Sequence, residues 1–169
     1  MFLLSFLAVI LIIGFSISGS TMNITYLIDL PSMIILLIVI IPALIQTGLW
    51  KDFNNSFRLT VGKKLSGSFK EIKRAIAAVQ LVRKSAMYAA IFSVCISFVI
   101  IMTQLSRPEV FGVNLAVAVL SILYAALINI IFLPMEKQLE IQMIEFAEEV
   151  TENVELEENG VEEKADKEQ

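Results

Sequence analysis

A chain of 169 residues, 57% of them hydrophobic and with a mean hydropathy of +0.78, is too apolar to fold as a soluble domain and is read as an integral membrane protein. Its net charge of -4 averages a basic centre against an acidic C-terminal stretch, so charge has to be read block by block. The chain has no histidine and a single cysteine, Cys95, which removes imidazole bases, imidazole metal sites and an intramolecular disulfide.

Residues 2–18, FLLSFLAVILIIGFSIS, form an uncharged run near the lower length limit for a transmembrane helix. A cleaved signal peptide is the rival reading, but such a peptide opens with a positive region and the first basic residue here is Lys51. A retained first span is therefore favoured. In the connector 19–31 the only charge is Asp29. Asp29 and Pro31 suit a helix start: the carboxylate caps free amide groups, and proline loses nothing in a first turn. A second span is expected over 32–50, kinked at Pro42 and closed by an interfacial Trp50–Lys51 pair.

The segment 51–84 carries nine basic residues against Asp52 and Glu71, while the other connectors are nearly free of them. The positive-inside bias places it in the cytoplasm, and with four spans both termini lie there too. Leu65, Phe69, Ile72, Ile76 and Val79 recur at helical spacing, so the segment contains a short amphipathic basic helix. This helix either rests on anionic headgroups or runs into the third span. No base-stacking aromatics are interleaved with the charge, which argues against nucleic acid.

The third span is expected over 85–105. Ser85, Ala86, Ala89, Ala90, Ser93 and Ser97 form a small-residue stripe, explained first by close helix packing and second by a polar path. A tight turn, Ser106-Arg107-Pro108-Glu109, leads to the fourth span over 112–134. This run has no charged residue from Gly112 to Pro134 and is about 34 Å long as a helix. Residues 135–169 then hold thirteen acids and three lysines, read as a helical extension to about Glu149 and a disordered acidic tail from about Glu152. The expected fold is all-α, with four transmembrane helices, N-in and C-in. None of the four spans contains Asp, Glu, Lys, Arg or His, so hydroxyl and amide groups are the ion-path candidates at membrane depth, Ser93, Ser97 and Ser121 first among them. No nucleophile, base or metal constellation is present, which argues against an enzyme, a metal site or a cofactor.

Two stretches then resemble a known family. Leu105-Ser-Arg-Pro-Glu-Val-Phe-Gly112, continuing through Asn114–Tyr124 to Asn129-Ile-Ile-Phe-Leu-Pro134, is similar to the last two spans of the MotA branch of the MotA/TolQ/ExbB proton channel family. Leu27-Ile-Asp-Leu-Pro-Ser32 resembles the start of that family's second span. The residues carrying the match are thus Asp29, Pro31, Pro108, Gly112 and Pro134. The resemblance implies an inner (plasma) membrane subunit of an ion-driven, flagellar motor-like stator. Such a subunit is a homo-oligomer, a pentamer, around single-span MotB-like partners whose membrane aspartate carries the proton or sodium ion. The sequence departs from the family in its cytoplasmic domain, reduced to about 35 residues. The fourth-span Thr-Thr positions fall on Ser121 and Ile122, and the third-span threonine position falls on Ser93 or Val94. Two readings stand: a reduced ion-conducting subunit completed by a partner's carboxylate, and a non-conducting oligomeric membrane scaffold on the same fold.

Overall fold

The computed structural model describes residues 29–61 and 68–167, together with the isolated positions Leu7, Ile10, Leu11 and Gly14; side chains are described for those four and for 29–60 and 68–151. The expected first span, 2–18, otherwise lies outside the described residues, as does Leu65. Four helices follow in order: α1 (Leu30–Gln46), α2 (Trp50–Val61), α3 (Phe69–Thr103) and α4 (Pro108–Lys167). No strand occurs among the described residues.

Helix α1 starts as its sequence demands. Asp29 is extended (φ −107°, ψ 104°), its carboxylate accepts from the Ser32 N–H at 3.0 Å, and Pro31 lies in the first turn. Its end differs from expectation. The helix passes through Pro42 but stops at Gln46, so 32–50 is not one helix. Gly48 takes φ +67°, which side-chain-bearing residues rarely adopt. The Leu49 N–H reaches back to the Leu44 carbonyl (3.0 Å) and the Gly48 N–H to the Ile45 carbonyl (3.1 Å). This pair of bonds is a Schellman stop, completed by the apolar contact of Leu49 with the cluster around Leu44. The chain then turns through 98° into α2.

Helix α3 is one rod of 35 residues, about 52 Å long. The amphipathic helix expected before the third span therefore runs into it. Its apolar face is not laid on headgroups: Ile72, Ile76 and Val79 are buried against Leu59 of α2 and Met135 and Leu139 of α4. A protein partner for that face was not visible locally, because Leu59 belongs to another helix and Met135 and Leu139 lie more than fifty positions away.

Helix α4 opens at Pro108 and contains Pro134 without ending there. Its backbone stays helical to Lys167, past the end expected near Glu149 and through the stretch expected to be disordered. The stretch is rich in glutamate, with lysine and alanine, residues of good intrinsic helix propensity even where no apolar face directs them.

Helices α3 and α4 pair antiparallel. Ser93 meets Ser121, Arg83 meets Asn129 and Gln80 meets Glu136, one number rising as the other falls. Small buried residues allow the close approach: Ala86, Ala89, Ala90, Ser93 and Ser97 on α3 against Ala118, Ser121 and Ala125 on α4. Helix α1 lays Ser32, Leu36, Ile40 and Leu44, a strict four-residue stripe, on this pair. Phe53, Phe57 and Phe132 pack with ring centroids 5.4 to 6.0 Å apart, edge-on for Phe57 against each of the others and tilted for Phe53 on Phe132, and join the cluster around Leu44 to the one around Ile72. Two helices, α3 and α4, are long and apolar enough to cross a membrane, and the bent pair α1–α2 adds a third if it counts as one span. The chain is thus built as a membrane-embedded helical protein.

Candidate functional site

The middle of the α3–α4 pair holds the polar groups. Ser93 Oγ and Ser121 Oγ lie 2.8 Å apart, and Ser121 Oγ also donates to the Val117 carbonyl at 2.8 Å. Because the one Ser121 proton goes to Val117, Ser93 is the donor in the pair. Both are buried, at 2% and 0% exposure, and Ser97 is buried one turn further along α3. The three sequence candidates therefore share a face, turned into the helix interface.

Helix α1 extends this arrangement. Ser32 Oγ donates to Asp29 Oδ2 at 2.5 Å and lies 3.4 Å from the same Val117 carbonyl, while the Asp29 N–H donates to the Tyr124 hydroxyl at 2.7 Å. A continuous chain of polar contacts thus runs Tyr124, Asp29, Ser32, Val117, Ser121, Ser93, crossing three helices. Tyr124 lies about 24 Å along α4 from Pro108 and about 15 Å before Pro134, near the centre of the uncharged run. Asp29 is half-buried beside it. From sequence Asp29 belongs to a connector beyond the spans. The structure sets it abreast of the uncharged run of α4, between Val117 and Tyr124, because α1 starts well below the α3–α4 turn. Sequence reasoning missed this placement, since no local pattern fixes how far one helix slides against another.

A second polar cluster closes the far end of the uncharged run. The Arg83 guanidinium pairs with Glu136 and donates through Nε to Asn129 Oδ1 (3.1 Å); Gln80 Nε2 donates to Glu136 Oε1 (3.0 Å), and Asn129 Nδ2 to the Ala125 carbonyl (2.9 Å). Glu136 is only 6% exposed, and burial of a charge is tolerable only with such a full set of partners. A cavity of about 280 Å³ opens beside them, with Lys84 and Met87 completing its wall. Read as sequence, Arg83 was one of nine basic residues and Glu136 one of thirteen acids. Their pairing follows from the antiparallel register alone.

Between α3 and α4 an open apolar groove of about 500 Å³ is lined by Met87, Ile91, Val94, Cys95, Ile122 and Ala126, among others. Sequence left Ser93 and Val94 as alternatives for one ion-path position. The structure turns Ser93 into the interface and gives Val94 to the groove, with Ile122 opposite it.

The boundary motif divides. Asp29 and Pro31 start α1 and Pro108 starts α4, whereas Pro134 is internal to α4. Gly112 is exposed, and a Cβ there would meet nothing within 4 Å, so packing does not require a glycine. Among the described residues no group of three or more His, Cys, Asp or Glu side chains could hold a metal ion. The arrangement offers one carboxylate, four hydroxyls and a backbone carbonyl, all oxygen groups able to exchange protons or to approach a small cation. No protein family model, curated protein or solved structure matches the chain.

Proposed function

We propose that the chain is a MotA-like subunit of an ion-driven membrane stator or channel complex, taking protons or sodium ions. Counting the run 2–18, it has four spans with both termini and the basic segment 51–84 in the cytoplasm, in the plasma (inner) membrane. It assembles as a homo-oligomer, a pentamer, around a single-span partner carrying a membrane aspartate. The observation that supports this reading is the polar chain from Asp29 to Ser93, set against the uncharged stretches of α3 and α4. A carboxylate at that depth is costly to insert and marks ion pathways and proton relays. The subunit then contributes a carboxylate of its own beside the partner's.

A non-conducting oligomeric scaffold is the second reading, and one observation favours it. The hydroxyls satisfy each other inside the helix interface, while the open groove presents Val94 and Ile122. Copurification from gently solubilised membranes, followed by ion flux in vesicles containing the recovered complex, separates the two. A conducting subunit brings down a single-span protein with a membrane aspartate and loses flux on Asp29→Asn, Ser93→Ala or Ser121→Ala. A scaffold comes down with itself alone and passes no ions.

A further inference from the structure

We infer that the exposed face of α2 is a docking surface for anionic lipid headgroups, with Trp50 setting its depth and Lys51 and Arg58 contacting phosphate. The inference rests on membrane embedding alone and holds whether or not the complex conducts.

The geometry comes first. Helix α1 packs lengthwise on the α3–α4 pair and ends at Gln46, where its apolar run ends. Helix α2 leaves it at 98°, only four residues later. With the long helices crossing the bilayer, α2 lies close to the membrane plane, at the level where hydrocarbon gives way to headgroups.

Charge and exposure then select one side of the helix. Its only acid, Asp52, is withdrawn by pairing with Arg74 of α3, Nε at 3.0 Å and a terminal nitrogen at 2.9 Å. Ser56, Leu59 and Thr60 are buried in the bundle, and Gln138 and Gln142 of α4 donate to the Thr60 and Leu59 carbonyls at 3.1 and 3.3 Å. Trp50, Lys51, Asn54 and Arg58 remain exposed, and at about 100° per residue they fall in a single sector about 100° wide. That sector carries two positive charges and no negative one, with an indole 46% exposed at one end. An amphipathic ring beside cationic side chains fits the interfacial layer of an anionic leaflet. A short acidic protein segment would match the charge but not the exposed indole.

Trp50 is the only tryptophan, so its fluorescence reports this face without a label. The full chain is reconstituted in vesicles of phosphatidylcholine with about one-third phosphatidylglycerol. Either lipid carries bromine, near the glycerol end or near the methyl end of its acyl chains. Three results are expected. Bromine near the glycerol end quenches more than bromine near the methyl end. Brominated phosphatidylglycerol quenches more than brominated phosphatidylcholine at equal amount. Lys51→Gln with Arg58→Gln reduces that headgroup preference by roughly fivefold per charge removed. Equal quenching by the two headgroups in the unaltered protein overturns the proposal. Absence of quenching by either lipid overturns it too, and means that a second copy or the chain's own acidic stretch covers Trp50. The headgroup comparison needs no variant, so a misfolded substitution cannot blur the outcome.

Discussion

The backbone N–H of Asp29 donates to the phenol oxygen of Tyr124 across 2.7 Å, joining residues 95 positions apart. This bond fixes how far α1 is slid along α4. It also places a helix cap, which local sequence specifies, at a depth that local sequence does not.

Tyr124→Phe keeps the ring and removes the acceptor. The expected loss is about 1 kcal/mol of stability, near the net value of one hydrogen bond plus part of the cost of an unpaired amide. Unfolding in detergent measures it. Unchanged stability would mean that water or another group takes the Asp29 N–H.

Asp29 combines a cap with a charge, and two substitutions separate them. Asp29→Asn retains a good cap and is expected to stay within a few tenths of a kcal/mol, whereas Asp29→Ala costs about 1 kcal/mol. If flux falls in both variants while stability falls only in the second, the carboxylate is functional. Loss of flux in Asp29→Ala alone assigns it to structure.

Ser93 and Ser121 meet in the interface, so Ser121→Ala takes away the partner of the Ser93 hydroxyl, whereas Ser93→Ala leaves Ser121 bonded to the Val117 carbonyl. The Ser93→Ala/Ser121→Ala cycle is expected to show a coupling of about 0.5 to 1.5 kcal/mol in denaturant unfolding. Ser93→Leu is expected to cost more than either, because the close approach of α3 and α4 has no room for it. Tolerance of leucine would contradict the tight packing.

Removing one member of the Arg83–Glu136 pair strands the other. Arg83→Met or Glu136→Leu alone is expected to destabilise by about 3 to 5 kcal/mol, with much of this recovered in the double variant. Melting temperatures of the three variants decide it: equal losses in single and double variants would mean that Gln80 and Asn129 hold the cluster without the ion pair.

Lys137 adds a small pH signature outside the uncharged run. Its ammonium donates to Glu140 at 2.6 Å, and this hydrogen bond, then the attraction of the Glu140 charge, raises its pKa above the ordinary lysine value. A folded-state pKa raised above the unfolded one gives stability that is present below the unfolded value and lost as pH passes the raised one. The stability difference between the protein and its Lys137→Gln variant is therefore expected to stay flat through neutral pH and shrink only in strong alkali.

Much of the architecture is legible in the sequence because its causes are local. Asp29 and Pro31 announce a helix start, the uncharged runs announce apolar helices, and the stripe from Ser85 to Ser97 announces a close neighbour. Thr47–Gly48 was readable as a helix stop, but the apolar run around it pointed to a single span and hid the bend. Three features had no local signature. The partner of Ile72, Ile76 and Val79, the match of Arg83 with Glu136, and the depth of Asp29 all depend on the register between distant helices. The same holds for the choice between Ser93 and Val94: neighbours on a helix point about 100° apart, and only the packed pair shows which of them is closed in and which lines the groove.

The unbroken course of α3 has a mechanical meaning. One end of the rod is gripped by Leu59, Met135 and Leu139, and Arg83 is tied to Glu136 part-way along it. Ser93 lies about 15 Å beyond that tie and Thr103 about 30 Å beyond it. Tilting α3 by about 10° against α4 about this fulcrum would carry Ser93 roughly 2.5 Å and Thr103 roughly 5 Å on rod geometry. The first displacement is comparable to the 2.8 Å contact between Ser93 and Ser121. The same tilt would part Ala86, Ala89 and Ala90 from α4, so the close packing beyond the fulcrum is what holds the polar chain closed.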